Sequence, residues 1–156
     1  MEILAQMITS FIATSAFGII FNAPKKTLLK CGLIGMGGWM VYYLLEGFFD
    51  NPILATLAAT IFIAVLSQEL AKFYKKPVII FSVAGIIPLV PGGMAYNAMR
   101  HFVVNDYIAA LAMAAKVFMI AGSIAFGLVF SEVINQVIRK INQNKVRTKK
   151  PLLVKR

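Results

Sequence analysis

The feature that most limits what this chain can become is a broken apolar run near its middle. Residues Val78 to Val90 are apolar, but Pro88, Pro91, Gly92 and Gly93 stop them, and a second helix-like run, Met94 to Val104, follows with Tyr96, Asn97, Arg100 and His101. Thirteen residues of helix reach only about 20 Å, short of the roughly 30 Å hydrocarbon core of a bilayer. A hydrophobic segment that stops short at Pro and Gly and resumes with polar residues reads as a discontinuous membrane helix. Irregular backbone at membrane depth survives only where protein buries it or where it lines a wet cavity. The pattern therefore points to a transport-like membrane protein.

Composition supports that class. Sixty per cent of the residues are hydrophobic and 14% are charged, against about 25% charged in soluble domains. Sixteen Lys and Arg face six Asp and Glu, a net charge of +10. The basic residues cluster between apolar runs, which fits membrane topology and excludes nucleic acid as a partner. The single cysteine, Cys31, lies inside an apolar segment, so neither a disulfide within the chain nor a thiolate metal site is expected. There is no Gly-rich phosphate loop, no nucleophile elbow, no His/Cys/carboxylate cluster with metal spacing and no internal repeat. The expectation is a protein that is not an enzyme and that uses no cofactor, metal or ATP.

The apolar periods predict an all-α integral membrane protein of about five spans, at 3–21, 27–45, 53–71, 78–104 (short or broken at Pro88, Pro91, Gly92 and Gly93) and 107–131. The first starts apolar at once, with Glu2 and no small-residue cleavage site, and is read as a retained span. Pro24 cannot continue the helix before it, and Asn22 is placed to cap either neighbour. Pro52 suits the first position of the third helix. Gly32, Gly35, Gly37 and Gly38 give the second span a thin face for close approach. Residues 1–138 form one transmembrane domain, and 139–156 a basic cytoplasmic tail that contacts anionic lipid.

Charge sets the orientation. Three clusters, Lys25/Lys26/Lys30, Lys72/Lys75/Lys76 and the eight Lys or Arg from Arg139 onward, hold 14 of the 16 basic residues. All fall on one side if the N-terminus is outside and the C-terminus cytoplasmic. The segment between the second and third clusters must then cross an even number of times. Since 107–131 crosses once, 78–106 makes a net second crossing, either as a broken helix or as a short one followed by an external helix.

Several residues carry candidate chemistry. Pro91, Gly92 and Gly93 ahead of a helix leave free N–H groups and a positive dipole end, which suit a substrate carboxylate. The plain alternative is a turn leading to a surface helix. Tyr96 and Arg100 share a helix face, with Asn97 beside them. Arg100 is either a bidentate carboxylate ligand or a solvated charge at the outer surface. His101, the one histidine, is either a proton carrier or an interfacial residue. Lys116 lies nine residues into the last span, about 14 Å deep, where a charge normally faces a cavity or a partner. Glu69 is the obvious partner, but an offset of about 10 Å argues against a direct bridge, and Lys72 is three residues away. Lys116 and Glu69 are the candidates for intramembrane pairing or ion coupling. The pairs Ala55/Ala59, Ala110/Ala114, Ala121/Ala125 and Ser123/Gly127 read as helix packing.

Phe21-Asn-Ala-Pro-Lys-Lys26, Gly32-Leu-Ile-Gly-Met-Gly-Gly-Trp39, Glu69-Leu-Ala-Lys72, Ile87-Pro-Leu-Val-Pro-Gly-Gly-Met-Ala-Tyr96 and Lys116-Val-Phe-Met-Ile-Ala-Gly-Ser-Ile-Ala-Phe-Gly127 together resemble the threonine/serine exporter family. The resemblance covers roughly residues 14 to 131 and is to the short subunit matching the C-terminal half of the full-length exporter. It implies export of small amino acids or related small carboxylates, driven by an ion gradient, in lipid, with a second membrane subunit supplying the other half. A homo-oligomer is a further option. A non-conducting structural subunit and an oligomeric ion channel are the alternatives. Lys116, Glu69 and Asn97, polar within spans, favour a path through this chain over a pure scaffold.

Overall fold

The computed structural model describes the backbone of residues 2–149 and the side chains of residues 2–141. Six helices follow one another: α1 (Glu2–Ile20), α2 (Lys25–Phe49), α3 (Pro52–Tyr74), α4 (Val78–Ile86), α5 (Gly92–Val103) and α6 (Tyr107–Lys149). A 3-10 turn, Ile87–Leu89, lies between α4 and α5. No strand occurs among the described residues. The chain is an all-α membrane protein, as the periodicity predicts. Four helices, α1, α2, α3 and α6, are long and apolar enough to cross a bilayer. The α4–turn–α5 pair makes a fifth only as a helix bent by 50°.

Local chemistry explains the helix ends. Asn51 caps α3, its side-chain oxygen accepting from the Ile53 N–H at 3.0 Å, and Pro52 takes the first position, where its missing N–H costs nothing. Asp50 and Lys75 close α2 and α3 in the left-handed conformation, each returning its N–H to the preceding turn. Asn22 is also left-handed and finishes α1, while Pro24 precedes α2 and provides no side-chain cap.

Close approach holds the bundle together. A Cβ on Gly32 would overlap Phe11 and Ser15, one on Gly35 would overlap Thr14, and one on Gly38 would overlap Ile63. Gly37 is different, since a Cβ there would meet Phe62 at an ordinary 3.5 Å. Three glycines of α2 are thus the surface on which α1 and α3 pack, where dispersion and not water exclusion drives association. The buried hydroxyls of Thr14, Thr56 and Thr60 donate to carbonyls one turn back in their own helices, which removes the cost of an unpaired polar group in an apolar interior. Of the small pairs on α6, Ser123 and Gly127 pack against α3, with Gly127 close to Thr60, whereas Ala121 and Ala125 are exposed.

The register between α3 and α6 fixes the levels of the polar residues. Gln68 bonds Ser131 across the pair, and Thr56 shares a cavity with Ile120, so the two helices run parallel with an offset of about 64 residues. Lys116, one turn before Ile120, is therefore level with Pro52 at the start of α3. The first nine residues of α6 project about 14 Å past that end. On this projecting part lies α5, with Ala98, Met99 and Phe102 facing Tyr107, Ala110, Leu111 and Ala114. At the other end Glu132, which the apolar period ends on, is level with Gln68 and before the end of α3, with its side chain exposed. The basic tail expected over 139–156 is continuous with α6 through Lys149, and residues 150–156 lie outside the described residues.

Candidate functional site

The break builds a cavity. Proline at 88 confines the chain to a 3-10 turn, and proline at 91 ends it, because each lacks the N–H that an α-helix would need. Beneath the break lies a cavity of about 200 Å³, lined by Trp39 and Tyr42 of α2, Thr56 of α3, Pro88 to Pro91, Gly93 and Met94 of α5, and Ile120 of α6. The Trp39 and Tyr42 rings stack obliquely at 5.1 Å, and the Trp39 indole N–H donates to Gln6 Oε1 at 3.1 Å, which ties α1 to the cavity wall.

The start of α5 presents backbone donors there. The Gly92 N–H turns back to the Val90 carbonyl at 2.8 Å, and Pro91 supplies no side-chain cap. The N–H groups of Gly93 and Met94 have no partner among the described residues. Together with the helix dipole they make a locus of positive potential at the cavity wall. Neither glycine has a positive φ, and a Cβ on either would meet nothing within 4 Å. Nothing in the packing of this chain itself demands glycine at 92 or 93.

The polar residues of α5 stand on its outer side. Tyr96 is 70% exposed, and Asn97 and Arg100 are also exposed, with no hydrogen-bond or ionic partner among the described residues. Gly93, Asn97 and Arg100 are spaced four and three residues apart, so they share one face that begins at the cavity. Tyr96 flanks it. The cavity and this polar face are thus continuous through Gly93, although Tyr96, Asn97 and Arg100 do not line the cavity.

The other candidates fall elsewhere. His101 Nδ1 is 3.1 Å from Asp106 Oδ2, and Asp106 Oδ1 accepts from the Ala109 N–H at 3.3 Å, so both residues shape the turn between α5 and α6. Glu69 is paired with Lys72 at 2.7 Å, and both are exposed. By register Glu69 and Lys116 are about 17 residues apart along α6, roughly 25 Å, so they are not brought together. Lys116 is exposed, one turn before the Ile120 that lines the cavity. Reading the sequence missed Trp39, Tyr42 and Thr56, because three helices must assemble before those side chains meet. The one signal for them was an aromatic pair following the glycine face of α2.

Comparison with known proteins gives a consistent result. The model of a family described as "Threonine/Serine exporter, ThrE" matches residues 6–134. A protein of Haemophilus influenzae, described only as uncharacterized, is 31% identical over 136 residues, covering 82% of this chain and 46% of that protein. The chain thus spans about half the length of that curated relative. No solved structure matches.

Proposed function

The chain belongs to the threonine/serine exporter family, and from that premise we propose that its bundle forms part of a path carrying a small amino acid or related small carboxylate out of the cell. The observation that carries this reading is the cavity at the break, where two unpaired N–H groups and a positive helix end face about 200 Å³ of space. A carboxylate satisfies both donors and needs no buried cation beside it. The face of Gly93, Asn97 and Arg100 gives the same anion a polar route away from the cavity, with Arg100 able to hold it in bidentate fashion. Lys116, one turn above the cavity, raises the local concentration of anions at its mouth.

An ion gradient drives the transport, and a second membrane unit completes the path. The length of the curated relative supports such a unit, which another chain or another part of the same protein supplies. So does the exposed apolar surface of α6, including Leu111, Phe118 and Phe126, which must be covered by lipid or by protein. The N-terminus lies outside and the C-terminus in the cytoplasm, because that arrangement gathers 14 of 16 basic residues on one side. In this arrangement α4 and the 3-10 turn cross as a short segment of about 20 Å, and α5 with the start of α6 stands at the outer surface. Reporter fusions at residue 74 and at the C-terminus give a cytoplasmic signal on this reading, and an external signal at residue 74 overturns it.

Gly92→Val and Gly93→Val test the site. Since each new side chain has open space within this chain, both variants reach the membrane in normal amounts and lose flux only where a ligand approaches the backbone. In the unsubstituted protein a substrate amide, lacking the carboxylate, fails to compete with the acid. Normal flux per inserted molecule in both variants refutes the site. Flux that persists without any ion gradient and never concentrates substrate identifies a channel instead.

A further inference from the structure

At the end of the bundle away from the break, α3, α4 and α6 leave a groove of about 590 Å³. Its walls are mainly aliphatic, with Val83, Leu128 and Val129 prominent among them. One carboxylate faces this space. Gln68 Nε2 lies 3.5 Å from Glu132 Oε2, and Gln136 Nε2 donates to Glu132 Oε1 at 3.2 Å. Gln68 is only 7% exposed and also donates to Ser131 Oγ at 3.3 Å, so it is a fixed strut. Both amides are neutral. They orient the carboxylate but leave its charge uncompensated, and no Lys or Arg reaches it among the described residues.

Level matters as well. Glu132 is level with Gln68, six residues and about 9 Å before the end of α3. Glu132 is exposed and lines the groove, and an ionisable group on a spanning helix is accommodated where it faces a cavity and acquires a partner of opposite charge. The cavity is present, and the groups around it decide which partner it takes. The groove offers acceptors: the Glu132 carboxylate, the Gln68 amide oxygen and the Ser82 hydroxyl oxygen, whose proton goes to the Val78 carbonyl at 3.2 Å. A bare metal cation needs about six oxygens at short range, which aliphatic walls cannot supply. An alkylammonium has three donors and a carbon skeleton that packs against those walls.

We infer that this groove is a binding site for the primary ammonium group of a small amino solute, held at Glu132. The inference rests on the exporter reading only in making an amino acid the natural bearer of that ammonium. The groove and the break lie about 18 Å apart along α3, from Gln68 to Thr56, so a small solute occupies them in turn and not at once.

A thiol reporter tests it. Val129→Cys places a thiol in the groove, and the native Cys31 is fully buried and silent to maleimide. The full chain, with its second unit, is labelled in lipid nanodiscs with and without 1-amino-2-propanol, which has an ammonium but no carboxylate. The amine slows labelling, and it still does so with Glu132→Asp, which keeps the charge. With Glu132→Gln, in a background that labels equally fast without amine, about tenfold more amine is required. Equal protection by 1,2-propanediol, equal protection by sodium ion alone, or an unchanged amine requirement in Glu132→Gln overturns the assignment. Failure of the carboxylate site at the break leaves this result unaffected, because the amine carries no carboxylate to that cavity.

Discussion

The cavity at the break and the groove beside Glu132 are opposite in chemistry although α4 and α6 contribute to the walls of one and lead directly to the other. At the break the polar groups are donors: backbone N–H groups at a helix start, with aromatic rings and glycine around them. In the groove beside Glu132 the charged group is an acceptor, a carboxylate to which two neutral amides donate, and the walls are aliphatic. The break uses backbone because a helix start supplies positive potential without burying a charged side chain. The groove needs an ionised side chain because a continuous helix has no free backbone groups to offer. A small solute with one anionic and one cationic end meets a complement to one end in each cavity in turn, because the two lie about 18 Å apart along α3.

The sharpest way to break this comparison is at Gly93. Gly93→Val is expected to lower flux roughly a hundredfold, the scale of a misplaced reacting group, while amine protection in the groove is kept. Loss of both together, measured as flux and thiol labelling on the same membranes, would mean that the two cavities are one site. Next in size is Glu132→Gln, with flux reduced about tenfold and the preference for acid over amide competitors unchanged. A lost preference would place Glu132 in the carboxylate site.

Lys116→Met follows, with flux down about threefold at low salt and near normal at high salt, because a charge at the cavity mouth acts by screened attraction. Lys116→Arg retains the wild-type rate in the same salt series. A salt-independent loss as large as that of Gly93→Val would put the ammonium inside the cavity. The smallest effect is expected at Glu69, whose exposed pair with Lys72 contributes between zero and about 1 kcal/mol. Glu69→Gln therefore transports normally, and a loss matching Glu132→Gln would remove the distinction between the two carboxylates.

Much of the architecture was legible in the residues. The turns at Asn22–Lys26, Asp50–Pro52 and Lys75–Pro77 carry Pro, Asn or charge, and a membrane helix has few other ways to end. Gly32, Gly35 and Gly38 announced close packing, although which of four glycines faced a neighbour was open until α1 and α3 were in place. The break was visible because Pro88 and Pro91 remove donors wherever they stand. The polar residues were harder to judge. Depth along a single helix makes Lys116 and Glu69 candidates for intramembrane charges when it is counted from each helix's own first residue.

That count holds only if every helix begins at one plane, and here α6 begins about 14 Å past α3. The stagger sets Lys116 at the end of the bundle, leaves Glu69 in an exposed pair with Lys72, and sets the exposed Glu132 level with the buried Gln68. The sequence alone determined that the chain is helical, membrane-embedded and interrupted between Pro88 and Gly93, because propensity, hydropathy and missing backbone donors are properties of short segments. Only the tertiary structure decided which polar side chains share a level and which open onto a cavity. Register between helices is set by how Gly127 meets Thr60 and how Gln68 meets Ser131, contacts between residues more than sixty positions apart in the chain.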